Sequence, residues 1–150
     1  MTAESGTIHA SAVAIADRGV VIRGRSGSGK SALVLSLLTL ATQAMLVADD
    51  RVLLSAQGGR LLAAAPAVLA GKLEIRGLGI VQRPYVSPVA VDLVVDLLPL
   101  AECPRLPEQH ELEAALAGIV VPRVFIAVGA ADAPFRVLAA LSLFHNKSLI

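Results

Sequence analysis

Apolar and small residues run from Thr7 to Ala16 and resume from Val20 to Arg23, broken by Asp17, Arg18 and Gly19, a pattern that predicts a β-hairpin. With Asp17 and Arg18 as turn residues, facing positions sum to about 35, placing Ile15 opposite Val20, Val13 opposite Ile22 and His9 opposite Ser26. Beyond a glycine-rich stretch, the spacing predicts a helix from Lys30 to about Thr42 and a short buried strand from Ala44 to Ala48. Val52–Ala56 and Arg60–Ala64 read as a second hairpin around Gln57, Gly58 and Gly59. Pro66 and Gly71 bracket a short helical piece, and Leu73–Ile80 carries too many glycines and opposed charges for a regular strand. Val89–Leu97 reads as a strand despite Asp92 and Asp96, and Pro99, Pro104 and Pro107 mark a surface connection. The pattern then predicts a helix over Glu108–Ala117, a buried strand over Val120–Val128 and a last helix from Pro134 to about His145. No repeat or long linker divides the chain, so a single α/β domain over residues 1–150 is expected.

Composition narrows the function. Lys+Arg 13 against Asp+Glu 12 leaves a net charge of +1 on 150 residues, which argues against a polybasic nucleic-acid binder and against an acidic tail. Hydrophobic residues make up 55% and aromatics 3%, so the interior is built from Ala, Val, Leu and Ile. The uncharged stretch from Ser31 to Ala48 approaches the length of a membrane span. Ser36, Thr39 and Gln43 nevertheless place a polar stripe along it, so it reads as a buried helix running into a strand, with no membrane association. Residues 1–6 show no signal peptide, and the lone Cys103 allows neither an internal disulfide nor a cysteine cluster for zinc, which points to the cytoplasm.

The chemistry lies in Gly24-Arg25-Ser26-Gly27-Ser28-Gly29-Lys30-Ser31, which fits the phosphate-loop pattern G-x-x-x-x-G-K-[ST] between a strand and a helix. Glycines there let backbone N–H groups converge on phosphate oxygens, with Lys30 neutralising the outer phosphates and the Ser31 hydroxyl suited to Mg²⁺. Asp49 and Asp50 follow the next apolar strand, at the end where open α/β sheets bind ligands. One carboxylate supports the metal, and a second near it can accept the proton of an attacking hydroxyl. A plain solvated turn over Asp49, Asp50 and Arg51 is the other reading of that dipeptide. His9, opposite Ser26, could orient a carboxylate or touch a phosphate, whereas His110 and His145 fall on helix surfaces. Glu74 and Arg76, two apart on an extended backbone, point into one site. A P-loop small-molecule kinase or ATPase, and a nucleotide-binding regulatory module without turnover, stay open on these residues alone.

Taken together, Ile8-His9-Ala10, Gly24–Ser31, Val47-Ala48-Asp49-Asp50-Arg51-Val52 and especially Leu73-Glu74-Ile75-Arg76-Gly77-Leu78-Gly79-Ile80 resemble the catalytic domain of the HPr kinase/phosphorylase family over about residues 7–98. The resemblance implies a phosphoenolpyruvate-carboxykinase-like P-loop domain with a mixed sheet. It also implies an ATP- and Mg²⁺-dependent serine kinase acting on the phosphocarrier protein HPr and reversing by phosphorolysis. His9 and Lys30 are implied as catalytic, Asp49 as the proton acceptor, Ser31 and Glu74 as Mg²⁺ ligands, and Asp50 and Arg76 as supports of the site. A homo-oligomer, typically a hexamer, is implied as well. Two departures stand out. The N-terminal domain of longer members is lacking, as in compact alphaproteobacterial forms. The family's late arginine-rich loop is replaced by Ile126–Arg136, with Arg136 the one cationic remnant, which leaves the phosphorolytic half open.

Overall fold

The computed structural model describes residues 5–145. The elements in chain order are β1 (Ser5–Ile8), β2 (Ala10–Ile15), β3 (Arg18–Arg23), α1 (Lys30–Leu40), β4 (Ala44–Ala48), β5 (Val52–Gln57), β6 (Arg60–Ala64), β7 (Lys72–Ile75), β8 (Gly79–Gln82), β9 (Val89–Leu98), β10 (Glu113–Leu116), β11 (Ile119–Ala127) and α2 (Ala133–His145). Most strands form one mixed sheet in the order β1-β5-β6-β9-β3-β2-β4, while among the described residues β7 and β8 pair only with each other. β3 lies parallel to β9 along one edge, and β6 and then β11 share the other. The α/β class and the mixed sheet agree with the expected architecture.

Period-two alternation divides the interior in two. On one face Val13, Val20, Ile22, Leu93, Val95 and Leu97 pack against Leu33, Val34 and Leu37 of α1 and Val137 and Leu141 of α2. On the other, Ala12, Val21 and Val94 pack against Val52, Leu54 and Leu61, so the β1–β5–β6 arm folds across the face that lacks helices. The acidic residues of β9 tie neighbouring strands together. Asp96 receives Arg23 through both oxygens at 2.7 and 2.8 Å, and Asp92 lies 3.5 Å from Arg18. Among the described residues no helix is long and apolar enough to cross a membrane.

Three local expectations are corrected. In the first hairpin Ala10 faces Arg23 and Ile15 faces Arg18, so facing numbers sum to 33 and the turn is Ala16-Asp17. Ala16 takes the left-handed conformation at φ 58°, because Gly19 is needed elsewhere. A Cβ on Gly19 would lie 2.5 Å from the Ala90 carbonyl oxygen, so glycine permits the close approach of β3 to β9. His9 therefore does not face Ser26; it sits at the bend between β1 and β2. Leu73–Ile80 is not irregular: Gly77 at φ 87° and Gly79 at φ 105° turn it into the β7–β8 hairpin. The helix expected over Glu108–Ala117 is a short 3₁₀ turn, Gln109–Leu112, followed by β10. Ala117 and Gly118, both at positive φ, close a hairpin that lets this alanine-rich segment pair with β11, and the pairing overrides its helix preference.

Leu73 is fully buried in the helix-side core and anchors the detached β7–β8 hairpin beneath α1. Leu73→Ala is expected to lower the unfolding free energy by about 2–5 kcal/mol, read from urea titration.

Candidate active site

β2 runs antiparallel to both β3 and β4, so β3 and β4 point the same way with the start of β2 between their C-terminal ends. The glycine-rich loop leaves β3 at this edge and leads into α1. Gly24 is required by packing: a Cβ there would stand 2.4 Å from the Ser28 hydroxyl and 3.2 Å from Leu97 Cβ. Gly29, at φ 97°, turns the chain into the helix, and no side chain caps the start of α1. Its first N–H groups are thereby left to an anion. Arg25, Ser26 and Gly27 form the exposed rim, whereas Ser28 is buried and its hydroxyl has no hydrogen-bond partner among the described residues.

Asp49, 5% exposed, is the hub. Its Oδ1 accepts the Ser11 hydroxyl at 2.6 Å and the Ser31 hydroxyl at 2.8 Å. Its Oδ2 accepts the backbone N–H of Glu74 at 3.1 Å, with the Ser31 hydroxyl at 3.0 Å. The carboxylate thus joins β2, α1 and β7 at one point. Lys30 Nζ folds back over the loop and donates to the carbonyls of Gly24 at 2.8 Å and Arg25 at 2.9 Å, which leaves one of its three protons for another acceptor. Burial holds the Lys30 ammonium below its ordinary pKa, and the negative charges of Asp49 and Asp50 offset part of that effect. Ser11, Ser28, Lys30 and Asp49 are the buried polar and charged side chains among the described residues, and they sit at or against the phosphate loop.

Asp50 is turned out by a tight turn in which the Arg51 N–H bonds the Asp49 carbonyl at 2.8 Å, with Asp50 itself at φ 72°. The structure brings His9 to it: Nε2 lies 3.3 Å from Asp50 Oδ1, with both side chains about half exposed. Glu74 follows buried Leu73, its side chain exposed beside the hub. Arg76 does not share the extended backbone of Glu74, because β7 ends at Ile75 and Arg76 opens the hairpin turn; it is exposed and makes no hydrogen bond or ion pair among the described residues. Arg136 donates to the Phe125 carbonyl at 3.3 Å. His110 is exposed on the 3₁₀ turn, and the side chain of His145 lies outside the described residues.

Ser11 was missed by the sequence reading. Its signal was a single hydroxyl on the strand face otherwise occupied by Val13 and Ile15, a local breach of the alternation that marks functional positions. A cleft of about 400 Å³ adjoins the loop on the side away from Asp49, lined by Gly24, Ser28, Leu97, Leu98, Pro99 and Val128 among others. A larger cleft of about 480 Å³ lies at the opposite ends of β3, β9 and β11 and includes none of the motif residues, so size does not locate the chemistry here.

Ser31 has spent its proton on Asp49, and its lone pairs receive no donor among the described hydrogen bonds. The Ser31 hydroxyl on the Asp49 carboxylate, with Glu74 joined to the same carboxylate through its backbone N–H, supplies hard oxygen donors at this point. Among the described residues no cluster of three or more His, Cys, Asp or Glu could hold a metal by itself. Few protein oxygens, completed by phosphate, is the way Mg²⁺ is usually held, so the residues fit that ion.

Residues 1–141 match the family model described as the HPr Serine kinase C-terminal domain. The HPr kinase/phosphorylase of Levilactobacillus brevis is 45% identical over 103 residues, covering 63% of this chain and 32% of that protein. That of Limosilactobacillus reuteri is 32% identical over 133 residues, covering 81% of this chain and 41% of that protein. This chain therefore spans well under half the length of these curated relatives. Among solved structures, the HPr(Ser) kinase/phosphatase from Coxiella burnetii superposes with a TM-score of 0.81 at 25% identity, covering 95% of this chain and 92% of that one. With the glycine loop, the buried aspartate and the Glu74 strand gathered at one edge of a mixed sheet, this chain belongs to the HPr serine kinase C-terminal domain family.

Proposed function

We propose that the protein is an ATP-dependent serine kinase that phosphorylates HPr, with Mg²⁺ as its metal and a homo-oligomer as its assembly. The observation that carries the reading is the convergence of the Lys30 ammonium, the Ser31 hydroxyl and the Asp49 carboxylate on a loop whose helix starts uncapped. A triphosphate lies against the loop N–H groups and the start of α1, and Lys30 turns its free proton toward the outer phosphates. Ser31 and Glu74 would hold Mg²⁺, which would supply neutralisation of the charge on the transferred group. Asp49 takes the proton of the HPr serine as its oxygen bonds the γ-phosphorus, and the bond from that phosphorus to the bridging oxygen breaks, with the electron pair leaving on ADP. His9 keeps Asp50 oriented at the mouth of the site, and Arg76, on the exposed hairpin turn, faces the incoming protein rather than the phosphates.

Only the forward reaction is assigned. Arg136, the cationic remnant of the late loop, donates to the Phe125 carbonyl of β11.

Labelled ATP incubated with HPr is expected to transfer its label to HPr serine, and chelation of divalent cations to abolish the transfer. Label released only as free phosphate would instead identify an ATPase, and a melting shift with ATP but no product would identify a regulatory module. Lys30→Ala and Asp49→Ala are each expected to lower turnover by more than about a hundredfold, since one preorganised group at a developing charge is worth about 2.7–4 kcal/mol. Retention by Asp49→Asn of activity within about tenfold of wild type would remove the proton-accepting role. Light scattering on the purified protein reads the assembly, for which the family likeness predicts a hexamer.

A further inference from the structure

Ser11 belongs to none of the motifs discussed above, yet its hydroxyl makes the shortest of the Asp49 contacts, 2.6 Å, from a residue with no exposed surface. It stands on β2, one position from Ala12, which faces Ala48 at the end of β4. Its backbone partner on the other side is Ile22, near the end of β3. The side chain therefore emerges between the strand that feeds the phosphate loop and the strand that feeds the acid.

Three protons are directed at Asp49, from Ser11, Ser31 and the Glu74 N–H. An ionised carboxylate offers about two lone-pair sites on each oxygen. Ser11 and Ser31 fill both sites of Oδ1. Oδ2 holds the Glu74 N–H and has only the longer, 3.0 Å share of the Ser31 hydroxyl, so it keeps an open site. We infer that Ser11 is a positioning residue: by saturating Oδ1 it fixes the carboxylate plane and makes Oδ2 the oxygen that receives the substrate hydroxyl proton. The inference rests on the kinase reading and adds to it which oxygen reacts and what aims it.

The role can be separated from packing. Ser11→Ala removes the donor in a strand already lined with alanine, at Ala10, Ala12 and Ala14, and creates no bulk. Ser11→Cys keeps the shape and weakens the donor. A hydrogen bond to a charged group corresponds to roughly tenfold or more in rate. In an HPr phosphorylation assay, Ser11→Ala is expected to lower kcat about tenfold or more with KM for ATP unchanged, and Ser11→Cys to fall between it and wild type. Melting shifts on adding ATP, read without turnover, are expected to match wild type in both variants. Activity of Ser11→Ala within about twofold of wild type, full restoration by Ser11→Cys, or a parallel loss of the ATP melting shift would each overturn the positioning role in favour of a structural one. Wild-type protein that transfers no phosphate to HPr would overturn the kinase reading instead, so the two failures are distinct.

Discussion

A carboxylate taken almost wholly out of water has to be compensated where it stands, and Asp49 is compensated by donors from three separate elements. Removing one partner of a buried ionic hydrogen bond costs far more than its net contribution when intact, because the remaining charge stays desolvated. The positions of β2, the start of α1 and β7 are therefore coupled through one side chain. The β7–β8 hairpin shows the coupling most clearly, since it pairs with no other strand and is held beneath α1 by Leu73 and by the N–H of Glu74.

The order of strands explains why such a hub can exist. In a sheet built only from parallel crossovers, the acid strand would lie beside the loop strand with another C-terminal end between or next to them. Here the hairpin before the loop inserts the beginning of an antiparallel strand, β2, between the ends of β3 and β4. A residue at the beginning of that strand can point its side chain at what the neighbouring strands deliver at their ends. Ser11 occupies that place. The approach is made possible by glycines that serve distance rather than turning: Gly19 lets β3 lie against β9, and Gly24 lets the loop fold onto Ser28.

Much of this was legible in the sequence because it depends on local spacing. The loop Gly24–Ser31, the strand Ala44–Ala48 with its acid end and the β5–β6 hairpin follow from glycine placement and alternation, and the structure has them where they were expected. Register was less legible. Gly19 was read as a turn residue because glycine in a turn and glycine in a crowded strand look alike in sequence, and the facing sum of 33 instead of 35 takes His9 out of register with Ser26; the bend before β2 sets it beside Asp50. The β10 strand was hidden because alanine-rich Glu113–Leu116 has the local preference of a helix, and only β11 supplies the edge that reverses it. Ser11 was hidden for a different reason: a serine carries no spacing motif, and its meaning comes entirely from a residue 38 positions away.

The loop and the turn beside it are also where the fold is least well satisfied. In the loop Ser28 keeps a buried hydroxyl with no partner among the described residues, and Lys30 is charged in a place where burial disfavours charge; in the turn after β4, Asp50 holds a left-handed backbone that a non-glycine residue adopts at a cost of about 1–3 kcal/mol. None of these serves packing, and the two alternating cores supply the stability against which such costs are set. An anion at the start of α1 relieves at least one of them directly, since a phosphate favours the charged form of Lys30. Binding and stability would thereby be linked on the kinase reading: the part of the Lys30 cost that a phosphate relieves would appear as affinity. Preorganisation of this protein thus lies in the Asp49 hub, whose Oδ1 is saturated and whose Oδ2 is held by the Glu74 N–H with one acceptor site left open, while the phosphate loop holds the unsatisfied groups.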